Sequence, residues 1–407
     1  MVSTGSTTEG SAPTTDGGDP TSEGGDLTRP FRDAVEEAER LVADADFIRT
    51  EQDLLEGYDY LAGRIRASLQ LAFDHDLDRP VLINSTHQFA RQGLDNPDAI
   101  YFHAYLRDGV EYVLRGRRGS TADLSFQVMG GGYDASGAPP SLAAFDDREL
   151  DLAEDGTFEL RLGPYDGGAK TLIVREVFND WDTEERGTLW IERTDSVGRP
   201  ARPLTHERLA QRYDIAGRLL TGSIRTWFAF PHFFQYREPV NTLTAPAATP
   251  GGLASQRSSI GHYALADDEA MVVTVPECTD CAYQAIQIGS DWYASTDYET
   301  HQTSLTKAQA VTDPDGLMRF VVSERAPRVE GGVVANWLET TGHRTGPVML
   351  RWQRLERDLG AADGPTVEVM KLAAVPAALP FHTAVGPEEH AARIAARQRA
   401  VARRMLS

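Results

Sequence analysis

The chain has 407 residues, 41% of them hydrophobic, and a formal net charge of −21 at pH 7. That length exceeds one hydrophobic core and predicts two domains with appendages. The acid excess excludes a nucleic-acid surface, which needs clustered Lys and Arg, and it disfavours anionic lipid. Three lysines (Lys170, Lys307, Lys371) stand against 37 arginines, a bias that fits either codon usage or a salt-adapted acidic surface.

Residues 1–28 are Ser, Thr, Gly, Asp, Glu and Pro almost throughout, without a basic or an apolar stretch. They read as a disordered acidic tail and not as a secretion signal. No run of 18 apolar residues occurs anywhere, so no membrane span is predicted and the cytoplasm is the expected compartment.

A helical hairpin is predicted over 29–78. Its first helix places Phe31, Val35, Ala38, Leu41 and Val42 on one stripe, and its second, from Asp53 to His75, carries Leu54, Leu55, Tyr58, Leu61, Ile65, Leu69 and Leu71. After Arg79-Pro80 the period changes from 3.6 to 2. AIYFHAYL, EYVLRGR, DLSFQVM, TFELRLG, KTLIVREVF and TLWIERT are short strands between turn-rich separators, so 79–200 is expected to be an antiparallel β-sandwich. A helical interlude and linker follow over 201–259, with Thr205 as N-cap and a Pro/Gly/Ser-rich stretch at 239–259 that suits a linker or a lid. Strands resume over 260–375 in HYALADDEAMVVTV, YQAIQI, MRFVVSE, VMLRWQRL and VEVMKL, read as a jelly-roll-like second domain. The tail, 376–407, ends in an arginine-rich helix after Gly386-Pro387, expected to be packed or solvated, with pairing to acidic surface in cis or in a partner subunit as the alternative. The fold class is thus mainly β, with tandem sandwich or jelly-roll-like domains, a helical N-terminal cap, a helical interlude and a C-terminal helix.

Tests for familiar chemistry are mostly negative. There is no GxSxG elbow, and the glycine-rich GGGYDASG lies between strands without phosphate-loop or dinucleotide spacing. The ten histidines show neither HxH nor HExxH spacing, and Cys278 and Cys281 form one lone CxxC, read as ordinary thiols. No metal and no cofactor is expected. The densest polar-aromatic stretch is 278–352, the mixture expected of a lined cleft. On YQAIQI, Tyr283 and Gln287 share one strand face while Ile286 and Ile288 share the other. Gln287, Trp292, Asp297, Tyr298, His301 and His343 are candidate pocket residues, and Tyr283, Asn336, Trp337 and Arg351 complete the set. The competing reading makes Asp297 and His343 turn caps, Trp292 and Trp337 core, and the Gln side chains solvent-facing. Asn96-Pro97-Asp98 is a strong turn, although Asp98 or Tyr101 could project into an interdomain cleft. Arg115 and Arg117 share a face and suit an anion, but internal salt bridges are favoured.

Several blocks together resemble the domain-of-unknown-function 1214 family, whose members often carry a partner domain of unknown function numbered 1254. They are Asn96-Pro97-Asp98-x-x-Tyr101, Tyr112 to Gly119, Leu124-Ser125-Phe126, and Leu172 to Glu185. Further on come Trp292, Asp297-Tyr298, Gln309-Ala310, Asp313-x-Asp315-Gly316, Asn336-Trp337-Leu338, Gly342-His343 and Arg351-Trp352. The resemblance covers residues 50–375 and implies a two-part β architecture, but no substrate, cofactor or catalytic residue. One departure is Leu305-Thr306-Lys307, where the family pattern suggests Leu-Asn. Function is expected to be binding of a small molecule, lipid-like or glycan, in a β-domain cleft, with a homo-oligomer compatible. The alternatives are an acid–base enzyme using Asp297 with Tyr298 or His343, and a structural partner of another enzyme.

Overall fold

The computed structural model describes residues 27–131, 139–233, 239–248, 253 and 255–406. The expected N-terminal tail and most of GGGYDASG lie outside the described residues, as does part of the 239–259 stretch.

Three long helices form one layer: α1 (Arg29–Ala43), α2 (Glu51–Phe73) and α3 (His206–Phe233). Helix α1 opens with Pro30 in its first turn, and α2 opens with a capping box in which Asp53 N donates to Thr50 Oγ1 at 3.1 Å. Arg208 N donates to Thr205 Oγ1 at 3.3 Å, so Thr205 caps α3 as its sequence position suggests. The α1 stripe packs as predicted, with Ala38 and Val42 at the centre and Phe31, Val35 and Leu41 around them. Helix α2 turns a different face inward. Leu55 is 63% exposed and Tyr58 40% exposed, while Gly57, Tyr60, Leu61, Arg64, Ala67 and Ser68 are buried. The cause is Trp292, which reaches in from the distant β half. Its ring lies 4.7 Å from Phe47 and 5.8 Å from Tyr60, and its Nε1 donates to Asp53 O at 3.0 Å. Only a glycine at 57 leaves room for that ring.

The first β half contains β1 (Ala99–Tyr105), β2 (Tyr112–Arg117), β3 (Asp123–Met129), β4 (Ser141–Asp146), β5 (Thr157–Leu162), β6 (Thr171–Val177) and β7 (Thr188–Arg193). They pair as β1-β6-β3-β4 and β5-β2-β7, and the two sheets enclose Leu114, Phe126, Val128, Leu162, Val174 and their neighbours. Strand β4 is the one that the alternation did not reveal.

The second half contains β8 (Arg257–Ala264), β9 (Glu269–Pro276), β10 (Cys281–Ser290), β11 (Ala294–Ser295), β12 (Ser304–Thr306), β13 (Leu317–Ser323), β14 (Arg328–Val329), β15 (Gly332–Val334), β16 (Trp337–Glu339), β17 (Thr345–Leu355) and β18 (Thr366–Lys371). After α4 (Val375–Ala378) come β19 (Ala384–Val385) and α5 (Pro387–Leu406). Sheet β11-β10-β17-β8, with β12 beside β10, faces sheet β16-β13-β9-β18 across a core that includes Ile286, Ile288, Phe320, Leu350 and Trp352. The pairings are antiparallel except β13 with β16, and a small sheet β14-β15-β19 stands apart. The described part of the 239–259 stretch is more than a linker. Asn241 N donates to His262 O, Thr244 N to Ile260 O, and Ala247 bridges Ser258, which covers the free edge of β8.

Helix α5 straps the two halves together. Arg397 donates to Tyr298 O at 2.9 Å and Ser304 O at 3.0 Å, while Arg404 donates to Pro97 O at 3.0 Å. Both guanidiniums lie over the Trp181 ring, at 4.6 and 4.1 Å from its centroid. The packed reading of this helix holds: Arg397 and Arg404 bond backbone carbonyls, while Arg393 pairs with Glu389 at 2.9 Å and Arg403 with Asp182 at 3.8 Å. Among the described residues no helix is long and apolar enough to cross a membrane.

Two helix glycines give opposite expectations. A Cβ at Gly57 overlaps the Trp292 ring, whereas one at Gly222 on α3 meets nothing within 4 Å. Gly57→Ala should therefore destabilise by roughly 1–3 kcal/mol, and Gly222→Ala should stabilise by about 0.5–1 kcal/mol. Urea unfolding of both variants beside wild type checks the signs, and a stabilised Gly57→Ala would refute the Trp292 packing.

Candidate functional site

Alternation along a strand gives each sandwich an outer face as well as a core. In β1, Ala104 points to the first core while Tyr101 and His103 point outward. Across the register, Tyr101 pairs with Arg175 and His103 with Ile173 on β6. In β17, Leu350 and Trp352 enter the second core while Met349, Arg351 and Gln353 point outward. These two outer faces turn toward each other and meet where Val177 packs on Tyr283 and Ala285.

Beside that contact the faces separate and enclose a cavity of about 840 Å³. Helix α2 contributes Arg64, Ala67, Ser68 and Leu71, and α3 contributes Leu219, Gly222, Thr226 and Trp227. The remaining wall is largely apolar, including Leu94, Ala99, Met129, Ile173, Val177 and Met349. Exposed Arg107, Lys170 and Arg218 stand along one side of it.

The opposite end is closed by the loop 90–98, which four side chains hold in place. Arg64 Nη2 donates to Ala90 O at 3.0 Å, and Arg351 Nη2 donates to Leu94 O at 2.6 Å. Gln287 Nε2 donates to Asp95 O at 3.0 Å, and Asn96 N donates to the Tyr101 hydroxyl at 3.0 Å. Asp95 itself accepts from Ser295 N and Oγ at 3.0 and 2.8 Å. Burial pushes the Asp95 carboxyl above its ordinary pKa despite those donors and the nearby charge of Arg91.

Two histidines stand at this wall or just behind it. Burial, helped by the charge of Arg175, pushes His103 down to about 3, so it is a neutral imidazole, with Nδ1 3.3 Å from the Ser85 hydroxyl. His75, stacked on Tyr105 at 3.7 Å, is pushed by burial to about 4. Arg64 is 2% exposed, its Nε has no hydrogen-bond partner among the described residues, and burial pulls its pKa down.

Of the residues singled out from the sequence, Arg351 lines this cavity. Gln287 stands just behind it and accepts from Arg351 Nη1. Tyr283 sits at the junction of the halves and donates to Asp98 at 2.6 Å. Trp292, Asp297, Tyr298 and His301 border two smaller hollows of about 310 and 340 Å³ between α2 and the loop after β11. Asp297 caps that loop, accepting from Glu299 N and Thr300 N at 2.9 Å and from the Thr300 hydroxyl. Burial raises its pKa, but these donors outweigh it and the net direction is down. His301 Nδ1 lies 2.9 Å from Glu339 Oε2. Asn336 pairs with Val311 N and O at 2.8 and 2.7 Å, and Trp337 Nε1 donates to Ser323 O at 3.0 Å. His343 borders none of the three spaces, and its Nε2 is 3.0 Å from Glu56 Oε2.

Asn96-Pro97-Asp98 forms the expected turn, and of the two residues weighed for a cleft Tyr101 lines the cavity while Asp98 borders none of the three spaces. Asp98 N donates to Asn96 Oδ1 at 3.1 Å, as an Asx turn requires, and the Asp98 carboxylate is buried between the halves. Arg115 pairs with Glu159 at 2.9 Å and with Glu192 on the outer sheet surface. Cys278 and Cys281 are free and buried in the second core, where Lys307 donates to both of their carbonyls and so closes the turn. Among the described residues no three His, Cys, Asp or Glu side chains are grouped to hold a metal ion.

Arg64, Tyr101, His103 and Arg175 were not in the predicted set, although Tyr101 was weighed for a cleft. The available signal was polar interruption of apolar strands, as in LIVREV and YFHAY. Outward polar residues on a lone sandwich read as solvent-facing, so the pattern alone could not name them.

The arrangement is that of a tandem β-sandwich protein with a helical layer over an interdomain cavity. Neither a protein-family model nor a curated protein sequence matches the chain. Among solved structures it is similar to an uncharacterised protein from Burkholderia cenocepacia, with 30% identity and a TM-score of 0.77. That match covers 86% of this chain and 98% of the other, so the chain belongs to the family of that Burkholderia cenocepacia protein. A Vibrio parahaemolyticus protein is 12% identical over 83% of this chain and 100% of its own, with a TM-score of 0.40, and carries no further argument.

The His343 ion pair has a definite pH signature. Burial lowers its pKa, but contact with Glu56 and the charges of Glu56, Asp53 and Asp291 outweigh that, and the net direction is up from 6.5. A raised histidine pKa stabilises the fold below the unfolded value, and that contribution is lost as pH rises through the folded value. His343→Gln should thus cost more stability at about pH 5.5 than at about pH 8.5. Urea titrations at both pH values test this, and an equal cost at each would remove the charge from the account.

Proposed function

We propose that this chain binds a small, largely apolar molecule in the cavity between its two β-sandwiches. The observation that carries the reading is the half-open cavity of about 840 Å³, walled by two sheets and two helices. Its mostly apolar exposed lining favours a lipid-like molecule over a glycan. The buried free thiols of Cys278 and Cys281 fit a reducing compartment such as the cytoplasm.

The acid–base reading has less support. Asp297 is committed to a loop cap and His343 to Glu56, so neither is free to exchange protons with a bound molecule.

Gly222 provides the test, because its empty Cβ position faces the cavity. Gly222→Phe should intrude into the space between α3 and the sheets, keep the fold and weaken binding at least tenfold. In a thermal-shift screen of lipids and apolar metabolites, a ligand at 100 times its Kd adds about 2.7 kcal/mol. That corresponds to several degrees at roughly 2–4 °C per kcal/mol. At least one compound should shift wild type and shift Gly222→Phe less. Failure of a broad library to stabilise wild type would sink the proposal.

A further inference from the structure

The charge on the cavity wall runs against that of the chain. The net charge is −21, yet the closed end of the cavity collects Arg64, Arg175 and Arg351 against the single carboxylate of Asp95. The two Ser295 donors leave Asp95 its charge, which acts on Arg64, and the His103 imidazole is neutral, so one carboxylate stands against three guanidiniums.

The hydrogen bonding of Arg64 is also incomplete. A guanidinium has five N–H donors, and burying them without acceptors is costly. Arg64 gives one to Ala90 O, and its buried Nε has no partner among the described residues. The bonds described for Arg351 go to Leu94 O and Gln287 Oε1, both neutral. For Arg175 the described bond is to the neutral Gln127 Oε1, at 2.9 Å. No carboxylate forms an ion pair with any of the three among the described residues. The arginines elsewhere in this chain commonly find one, as Arg118 does with Asp147 and Arg319 with Asp313 and Asp315.

The three approach one locus. Arg175 stands across the strand pair from Tyr101, and both Arg175 and Arg351 act electrostatically on that hydroxyl. Arg64 and Arg175 both act on His103, two residues further along the same strand face. An apolar wall meets this cationic end, and the lining as a whole carries six Arg and Lys side chains against the two carboxylates of Asp95 and Asp108.

We propose that the ligand of this cavity is an anionic amphiphile, whose carboxylate is received by Arg64, Arg175 and Arg351 while its apolar chain lies along α2 and α3. This rests on the cavity-binding reading above. Tyr101 and His103 flank the head group, and Leu71, Ile173 and Leu219 receive the chain. Arginine suits the role because its planar fork matches a carboxylate and stays charged when buried.

The test compares decanoate with decanol by calorimetry, on wild type, Arg175→Gln and Gly222→Phe. Arg175 is the safest arginine to change, being only partly buried and holding no backbone contact in the loop 90–98. Decanoate should bind wild type at least tenfold more tightly than decanol, and Arg175→Gln should lose roughly tenfold for decanoate alone. Gly222→Phe should weaken both ligands. Equal binding of decanoate and decanol by wild type, weakened by Gly222→Phe, would overturn the anion inference and leave the cavity reading standing. No binding of either ligand would overturn the amphiphile proposal, and the wider screen then decides the cavity reading separately. Arg64→Gln is a second variant with the same expected decanoate-specific loss, and unchanged decanoate affinity in both variants would remove the arginines from the site.

Discussion

The buried carboxylate of Asp98 is the constraint from which the assembly of this molecule follows. It lies on the loop that closes the cavity, and it is 1% exposed. Burial pushes its pKa up, and two donors together with the positive charge of the terminal helix make its burial tolerable. Tyr283 supplies a hydroxyl from the second sandwich at 2.6 Å, and Trp181 supplies an indole N–H from the first at 2.9 Å. Arg397 and Arg404 supply positive charge from the terminal helix, and the same two side chains lie over Trp181. Removing Tyr283 or Trp181 leaves a buried acceptor short of a partner, and removing either arginine leaves the carboxylate short of positive charge, so the halves and the strap are stabilised together.

That junction fixes the distance between two outer sheet faces, and the cavity is a consequence. Tyr283 and Ala285 touch Val177 at the point of contact, and further along the faces diverge. A gap of that kind between two sandwiches needs a roof. The helical layer provides it, and Trp292 is the pin that holds the layer down. Its fit against Gly57 explains why α2 turns Arg64, Ala67 and Ser68 inward in place of Leu55 and Tyr58. The rotation of one helix, set by one tryptophan, therefore delivers an arginine to the cavity wall.

Local periodicity made much of the fold readable. The α1 stripe, the Thr205 cap, the alternation in β1, β2, β3, β5, β6 and β7, and the start of α5 at Pro387 all follow from side-chain spacing. Strands of two or three residues such as β11 and β14 carry too little pattern to be seen. The α2 face was misread because its buried side is set by a residue over 200 positions away. For the site, the sequence drew attention to 278–352, where polar aromatic residues crowd together. Those side chains mostly serve local geometry: Asp297 caps a loop, Asn336 clamps Val311 and Trp337 bonds Ser323. The cavity wall is assembled instead from alternate residues of β1, β6 and β17 and from two helices, so no contiguous stretch displays it.

The acidic exterior and the cationic cavity belong to different electrostatic regimes. Surface carboxylates such as Asp267 and Asp268 stand in water, paired with exposed Arg344 and Lys371, and salt screens them within about 8–10 Å. Arg64 and Arg351 are buried, where screening is weak and each unpaired donor keeps its full cost. A large net negative charge on the chain therefore does not oppose an anion inside the cavity. It leaves the buried guanidiniums as the dominant short-range term, and their selectivity comes from desolvation and geometry, which act only once a head group has reached the closed end. Asp95 sharpens this. Held by Ser295 instead of by the arginines, it fixes the loop 90–98, and its single charge, which acts on Arg64, balances only part of the wall. The same loop thus carries the contact that joins the two halves and the carbonyls that orient Arg64 and Arg351, so the geometry of the cationic end is inherited from the junction at Asp98.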